Sequence, residues 1–158
     1  MSESEHGYAG GWGSYTKAGG STGMHASSEN GGAIGQNAKT ENGGAVGYGA
    51  SSLNGFAGGY KAKATGDKAI AIGSGSTANG DLSISIGSTI NTDSTDNTGS
   101  VEAKGANTIA IGAGAFAEGE YSIVIGSDLS DDHVYSNAAG KYAIAIGTAA
   151  QVGAESAV

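Results

Sequence analysis

Cysteine and proline are both absent from the 158 residues. Without cysteine there is no disulfide framework, no thiolate metal site and no cysteine nucleophile. Without proline, and with no glycine at every third position, a collagen helix is excluded. Cations are scarce: 7 Lys and Arg stand against 15 Asp and Glu, a formal net charge of −8. That balance argues against nucleic acid, whose phosphates need clustered cations. No apolar run approaches the ~20 residues that span a bilayer, so no direct membrane insertion by this segment is expected. Met1 to His6 has no cationic stretch followed by an apolar one, and does not read as a signal peptide. The expectation is a chain that stays inside a cell, or a segment of a longer one. The histidines, His6, His25 and His133, are too scattered to build a hydrolytic site, so neither catalysis nor a cofactor is expected.

Glycine is abundant instead, at 31 residues. A glycine-rich, acidic composition suggests disorder, but the arrangement contradicts it. The phrase Gly-x-x-[Ala/Ser/Thr]-Ile-x-Ile-Gly recurs as Gly66–Gly73, Gly80–Gly87, Gly105–Gly112, Gly119–Gly126 and Gly140–Gly147. A fainter version, Ala33-Ile-Gly35 and Ala45-Val-Gly47, extends the count upstream. Landmark glycines at Gly11, Gly23, Gly35, Gly47 and Gly59 are 12 apart; Gly73 and Gly87 are each 14 on. Steps of 25 to Gly112 and 21 from Gly126 to Gly147 then carry insertions of 11 and 7 residues. The chain divides into a flexible start over 1–6, a section of 12-residue turns over 7–63, and 14-residue repeats over 64–158. The inserts fall within 88–105 and 127–140.

A period this short excludes a helical repeat. The alternation in Ala69-Ile-Ala-Ile72 is a strand signal, and Asn30-Gly31, Asn42-Gly43 and Asn54-Gly55 are turn signals. Two short strands and two tight turns fill one repeat. The predicted fold is all-β, a parallel β-solenoid in which each repeat is one coil, stacked ~4.8 Å apart into a rod of roughly 50 Å.

One face of the repeated strand carries Ile70, Ile72, Ile84, Ile86, Ile109, Ile111, Ile123, Ile125, Ile144 and Ile146. The other carries Ala71, Ser85, Ala110, Val124 and Ala145. Such a strand reads as buried on both sides. A thin roll covers one side, so the isoleucines belong either to the roll core or to a contact with another copy of the chain. A symmetric homo-oligomer follows. Ala26, Ala38, Ala50 and Ala62 read as roll interior, and Asn30, Asn42 and Asn54 as a ladder of stacked amides.

The residue after each landmark glycine in the first half is Trp12, Met24, Gln36, Tyr48 and Tyr60. This column is either an adhesive stripe, with Trp12, Tyr48 and Tyr60 as ligand-binding candidates, or an inter-chain seam or simple ladder packing. The inserts are the second candidate, because binding residues collect on loops of rigid scaffolds. One contains Asn91 to Gly99, with Asp93 and Asp96; the other contains Asp128, Asp131, Asp132, His133 and Tyr135. Neither has the spacing of a calcium loop, and no metal site is assigned.

Asn107-Thr-Ile-Ala-Ile-Gly-Ala-Gly-Ala115 and Ala69-Ile-Ala-Ile-Gly-Ser-Gly-Ser-Thr-Ala-Asn-Gly80 give the chain its resemblance to a known family. It resembles the YadA-like head domain of trimeric autotransporter adhesins, well over Thr65 to Val158 and more weakly over Gly7 to Lys63. The resemblance implies a left-handed parallel β-roll, three chains per head, and attachment to host matrix protein, cell surface or glycan from the bacterial outer membrane. It also bears on collagen, since the family's collagen-binding phrase begins with Asn. That place holds Lys68, Leu82, Tyr121 and Tyr142 here, and Asn107 alone keeps it. No stalk heptads, neck or membrane anchor stand in these residues, as in a head segment. The alternative is a structural or receptor-binding module of a phage tail fibre, also trimeric and also made without a signal peptide.

Overall fold

A computed structural model describes residues 2–88, 100–127, 136–153 and 155. Among them the chain forms nineteen β-strands in one continuous sheet and no helix. Every pairing is parallel. The first two strands are long, β1 (Glu3–Gly10) and β2 (Tyr15–Thr22). From β3 (Ser27–Ser28) and β4 (Gly32–Ile34) onward, each coil contributes one two-residue strand and one three-residue strand. The start expected to be flexible over 1–6 is drawn into the sheet from Glu3, which pairs with Tyr15. The molecule is therefore a parallel β-solenoid, as the repeat count requires.

The registers reproduce that count. Ser27 pairs with Lys39, Lys39 with Ser51 and Ser51 with Lys63, each 12 residues on. Phe56 then pairs with Ile70 and Ile70 with Ile84, each 14 on. Ile84 pairs with Ile109 and Ile123 with Ile144, so the 11 and 7 additional residues leave the ladder undisturbed.

The change from 12 to 14 occurs in one turn of the coil. Outside the two coils that carry inserts, the first turn keeps four residues, as in Gly59–Ala62 and Gly73–Ser76. Ala62 N–H and Ser76 N–H close it onto the carbonyls of Gly59 and Gly73. The second turn lengthens from Leu53–Gly55 to Thr65–Ala69. The longer form copies the first turn: Ala69 N–H donates to the Gly66 carbonyl, and Lys68 takes a left-handed φ of 54°, as Lys61 does at 53°. Both turns need glycine because coils meet there backbone to backbone. A Cβ on Gly23 would lie 2.6 Å from the Gly35 carbonyl oxygen, and one on Gly43 would overlap the carbonyl oxygen of Gly55.

The interior is narrow. Its columns are Ala26, Ala38, Ala50 and Ala62; Ala33, Ala45, Ala57, Ala71, Ala110 and Ala145; and Ala64, Ala78, Ala103, Ala117 and Ala138, all without solvent exposure. The bulkiest side chains fully inside are Val101, Val124, Thr16 and Thr108. A roll whose facing strands are joined, outside the two inserts, by three- to five-residue turns leaves no volume for isoleucine. The isoleucines consequently stand on the outer surface, and the roll-core alternative for Ile70 through Ile146 is corrected: interior places on those strands belong to Ala71, Ser85, Ala110, Val124 and Ala145. One buried alanine methyl contributes about 0.8 kcal/mol, so this core is poor for its length. The larger apolar groups lie outside it.

Candidate subunit and ligand surfaces

The two strands of each coil have opposite outer faces. The two-residue strands present Ser27, Lys39, Ser51, Lys63, Thr77, Glu102, Phe116, Asn137 and Gln151. Phe116 apart, that face is polar. The three-residue strands present two adjacent apolar columns. One runs Phe56, Ile70, Ile84, Ile109, Ile123, Ile144; the other runs Ile34, Val46, Gly58, Ile72, Ile86, Ile111, Ile125, Ile146. Ile34 is 54 % exposed, Ile72 41 %, Ile125 42 % and Ile146 64 %. Where the second column lapses at Gly58, the Phe56 ring covers the gap: a Cβ on Gly58 would lie 2.9 Å from that ring. The chain thus carries an unbroken apolar stripe along one side of the rod, of the kind that marks an interaction surface.

In the first-turn column Trp12, Met24, Tyr48 and Tyr60 are exposed, and the aromatic residues divide in two groups. Tyr48 and Tyr60 stack with ring centroids 5.4 Å apart, and the Lys61 ammonium lies 5.2 Å from the Tyr60 centroid. Trp12 lies three coils from Tyr48 and packs edge-on against His25 at 4.7 Å. Beyond Tyr60 the column turns small, through Ser74, Ala113, Ser127 and Thr148.

A second aromatic group lies on the opposite edge, at the second turn, and sequence reasoning missed it as a site. Tyr121 and Tyr142 stack at 5.2 Å, and the Lys141 ammonium sits 5.7 Å and 5.3 Å from their centroids. Lys141 also pairs with Glu120 at 3.2 Å. That hydrogen bond, with Tyr142 next, raises Lys141 above the usual lysine range. Leu82 continues the column and is 55 % exposed. Lys68, Leu82, Asn107, Tyr121 and Tyr142 all hold the left-handed conformation, φ 54° to 59°. Asparagine takes that conformation readily, whereas other residues carry a cost of roughly 1–2 kcal/mol. The shared turn position, 21 residues apart across the second insert, is the signal that could have found the tyrosine pair.

The remaining polar rungs are structural. Asn30 Nδ2 donates to Asn42 Oδ1 (2.9 Å), Asn42 Nδ2 to Asn54 Oδ1 (2.8 Å) and Asn54 Nδ2 to Asp67 Oδ1 (3.0 Å). Lys104 pairs with Glu118 at 2.9 Å, which raises the lysine above its usual range. Asp93, Asp96, Asp128, Asp131, Asp132, His133 and Tyr135, the insert candidates, lie outside the described residues. Among the described residues no group of three or more His, Cys, Asp or Glu could hold a metal ion.

The described residues thus form a repetitive parallel β-solenoid with one apolar flank and aromatic turn edges, the class of rod-like repeat module. The family description "YadA head domain repeat (2 copies)" matches residues 50–76, 64–89, 103–128 and 135–158, more than half of the chain. The chain belongs to the YadA head-domain family, the head of trimeric autotransporter adhesins. No curated protein and no solved structure matches it.

Proposed function

We propose that three copies of this chain, each a left-handed roll, pack through their isoleucine stripes into the exposed head of a bacterial surface adhesin. The head attaches cells to host matrix protein, cell surface or glycan. The observation that carries this reading is the contrast between the two outer faces: one is polar along the two-residue strands apart from Phe116, the other apolar over at least seven coils. A lone roll would leave Ile146 and its neighbours in water, whereas a symmetric contact buries them on every chain. The turn edges then remain for ligands. Each carries a stacked tyrosine pair flanked by a lysine, Tyr48–Tyr60 with Lys61 and Tyr121–Tyr142 with Lys141. Exposed aromatic faces with a nearby cation suit protein and sugar surfaces, and three chains present each pair three times. At Tyr121 and Tyr142 the strained backbone is retained without asparagine, which supports a role for the rings themselves.

Immobilised matrix proteins and a glycan array, probed with the purified chain, test the proposal. The variant Trp12→Ala/Tyr48→Ala/Tyr60→Ala is compared with Tyr121→Ala/Tyr142→Ala. Loss of binding in either, with the oligomer intact, identifies the edge that binds. Full binding by the variant that lacks all five rings would refute the aromatic edges as the ligand surface.

A further inference from the structure

Asn-Gly pairs are chemically labile, and this chain has four among its described residues: Asn30-Gly31, Asn42-Gly43, Asn54-Gly55 and Asn79-Gly80. The fold requires the glycines, because a Cβ on Gly31, Gly43, Gly55 or Gly80 would overlap a carbonyl oxygen of the next coil. All four asparagines are exposed, so water reaches each of them. Their hydrogen bonds differ.

Asn42 is held on both sides: it accepts from Asn30 and donates to Asn54. Its neighbour Gly43 N–H donates to Thr40 Oγ1 at 3.0 Å. Asn79 is held in the same way, accepting from Thr65 Oγ1 and donating to Glu102 Oε1, both at 2.7 Å, while Gly80 N–H donates to the Ala103 carbonyl. Asn54 is held on both sides, but Gly55 N–H makes no hydrogen bond among the described residues. Asn30 is the open end of the ladder. It donates to Asn42, and among the described residues its Oδ1 accepts nothing, because the residue one coil earlier is Ala18. Gly31 N–H is also unbonded among the described residues. Ser28, which occupies the place that Thr40 holds one coil later, leaves its hydroxyl without a partner among the described residues.

We propose that Asn30 is a site of spontaneous deamidation in the folded protein, selected by its position at the open end of the amide ladder. The Gly31 backbone nitrogen attacks Asn30 Cγ and loses its proton to solvent. The new C–N bond expels the side-chain amide nitrogen as ammonia and leaves a succinimide. Water then adds across one of the two ring C–N bonds, giving aspartate or isoaspartate. No electrons are exchanged. The interior rungs resist this attack because it requires the side chain to leave its partners and the glycine nitrogen to be free. The ladder thereby shields the turn chemistry that the coil cannot do without.

The test follows all four sites by peptide mass spectrometry while the full native chain ages in mildly alkaline buffer. Asn42 has two more hydrogen bonds to break than Asn30, which slows it about 30-fold. In chain unfolded in urea the four sites converge. A second variant, Ala18→Thr, copies the Thr65–Asn79 pair by placing a hydroxyl donor above Asn30 Oδ1. It slows Asn30 in the native chain and leaves the unfolded rate unchanged. Equal native rates at Asn30 and Asn42, or no slowing by Ala18→Thr, would overturn the proposal.

Discussion

Val124 and Ile125 are consecutive residues of one strand and face opposite ways. Val124 is fully buried in the roll, while Ile125 is 42 % exposed on the apolar stripe. Replacing each by aspartate therefore separates folding from assembly. At Val124 the carboxylate enters a closed interior of alanine and serine and has no partner, so the chain is expected not to fold. At Ile125 a single chain tolerates the carboxylate, because nearly half of that side chain already faces water. In the proposed trimer the cost falls on the contact between chains. Full burial of an isoleucine is worth about 3 kcal/mol at most, so covering the exposed 42 % is worth about 1 kcal/mol per chain. Three chains lose about 3–4 kcal/mol in Ile125→Ala, a trimer weakened by roughly 200-fold or more. Ile125→Asp adds the burial of three unpaired carboxylates around one axis, at several kcal/mol each. Sedimentation equilibrium across a micromolar concentration range should show the parent as a trimer, Ile125→Ala as a concentration-dependent mixture and Ile125→Asp as a monomer. Circular dichroism records whether the β signal persists. Thr77→Asp, on the polar face, is the control and leaves the trimer intact. If Ile125→Asp sediments like the parent, or Thr77→Asp dissociates as readily, the isoleucine stripe is not the subunit contact.

Three other outcomes follow from the geometry. Gly43→Ala should lower thermal stability by about 3 kcal/mol, the upper end of overpacking costs. Gly20→Ala should leave the isolated chain unaffected, since a Cβ there meets nothing within 4 Å; equal melting temperatures for the two variants would contradict the coil-contact account. Deleting residues 89–99 restores a 14-residue step between Ile84 and Ile109, which already pair across the insert. The variant should keep its β signature and sedimentation, and an unfolded product would show that the insert is needed for folding. The Lys104–Glu118 and Lys141–Glu120 pairs raise both lysines. Their support is present below the ordinary lysine range and is lost as pH rises through the raised values. The pairs' contribution to the melting temperature should therefore stay constant between about pH 6 and 9 and fall only at higher pH. Lys104→Met and Lys141→Met, followed by calorimetry into alkaline solution, check this; a difference from the parent that already shrinks with rising pH near neutrality would refute the sign.

Much of this architecture is written in the spacing of glycine and isoleucine. Repeats of 12 and 14 residues fix coil length, and coil length fixes which residues stack, because a parallel ladder carries each position onto its copy one coil away. Ala26 over Ala38 and Asn30 over Asn42 were legible for that reason, as was the size of each insert. Alternation alone could not say which face of the isoleucine strand points inward. That depends on the distance between the two strands of a coil. The short turns hold them so close that alanine, serine and valine fill the interior and isoleucine has to stand outside. Nor could spacing show that the lengthened second turn repeats the first, with a left-handed residue two places after its glycine. That conformation puts the side chains of Tyr121 and Tyr142 on a turn edge, where the stacking of the coils brings their rings together.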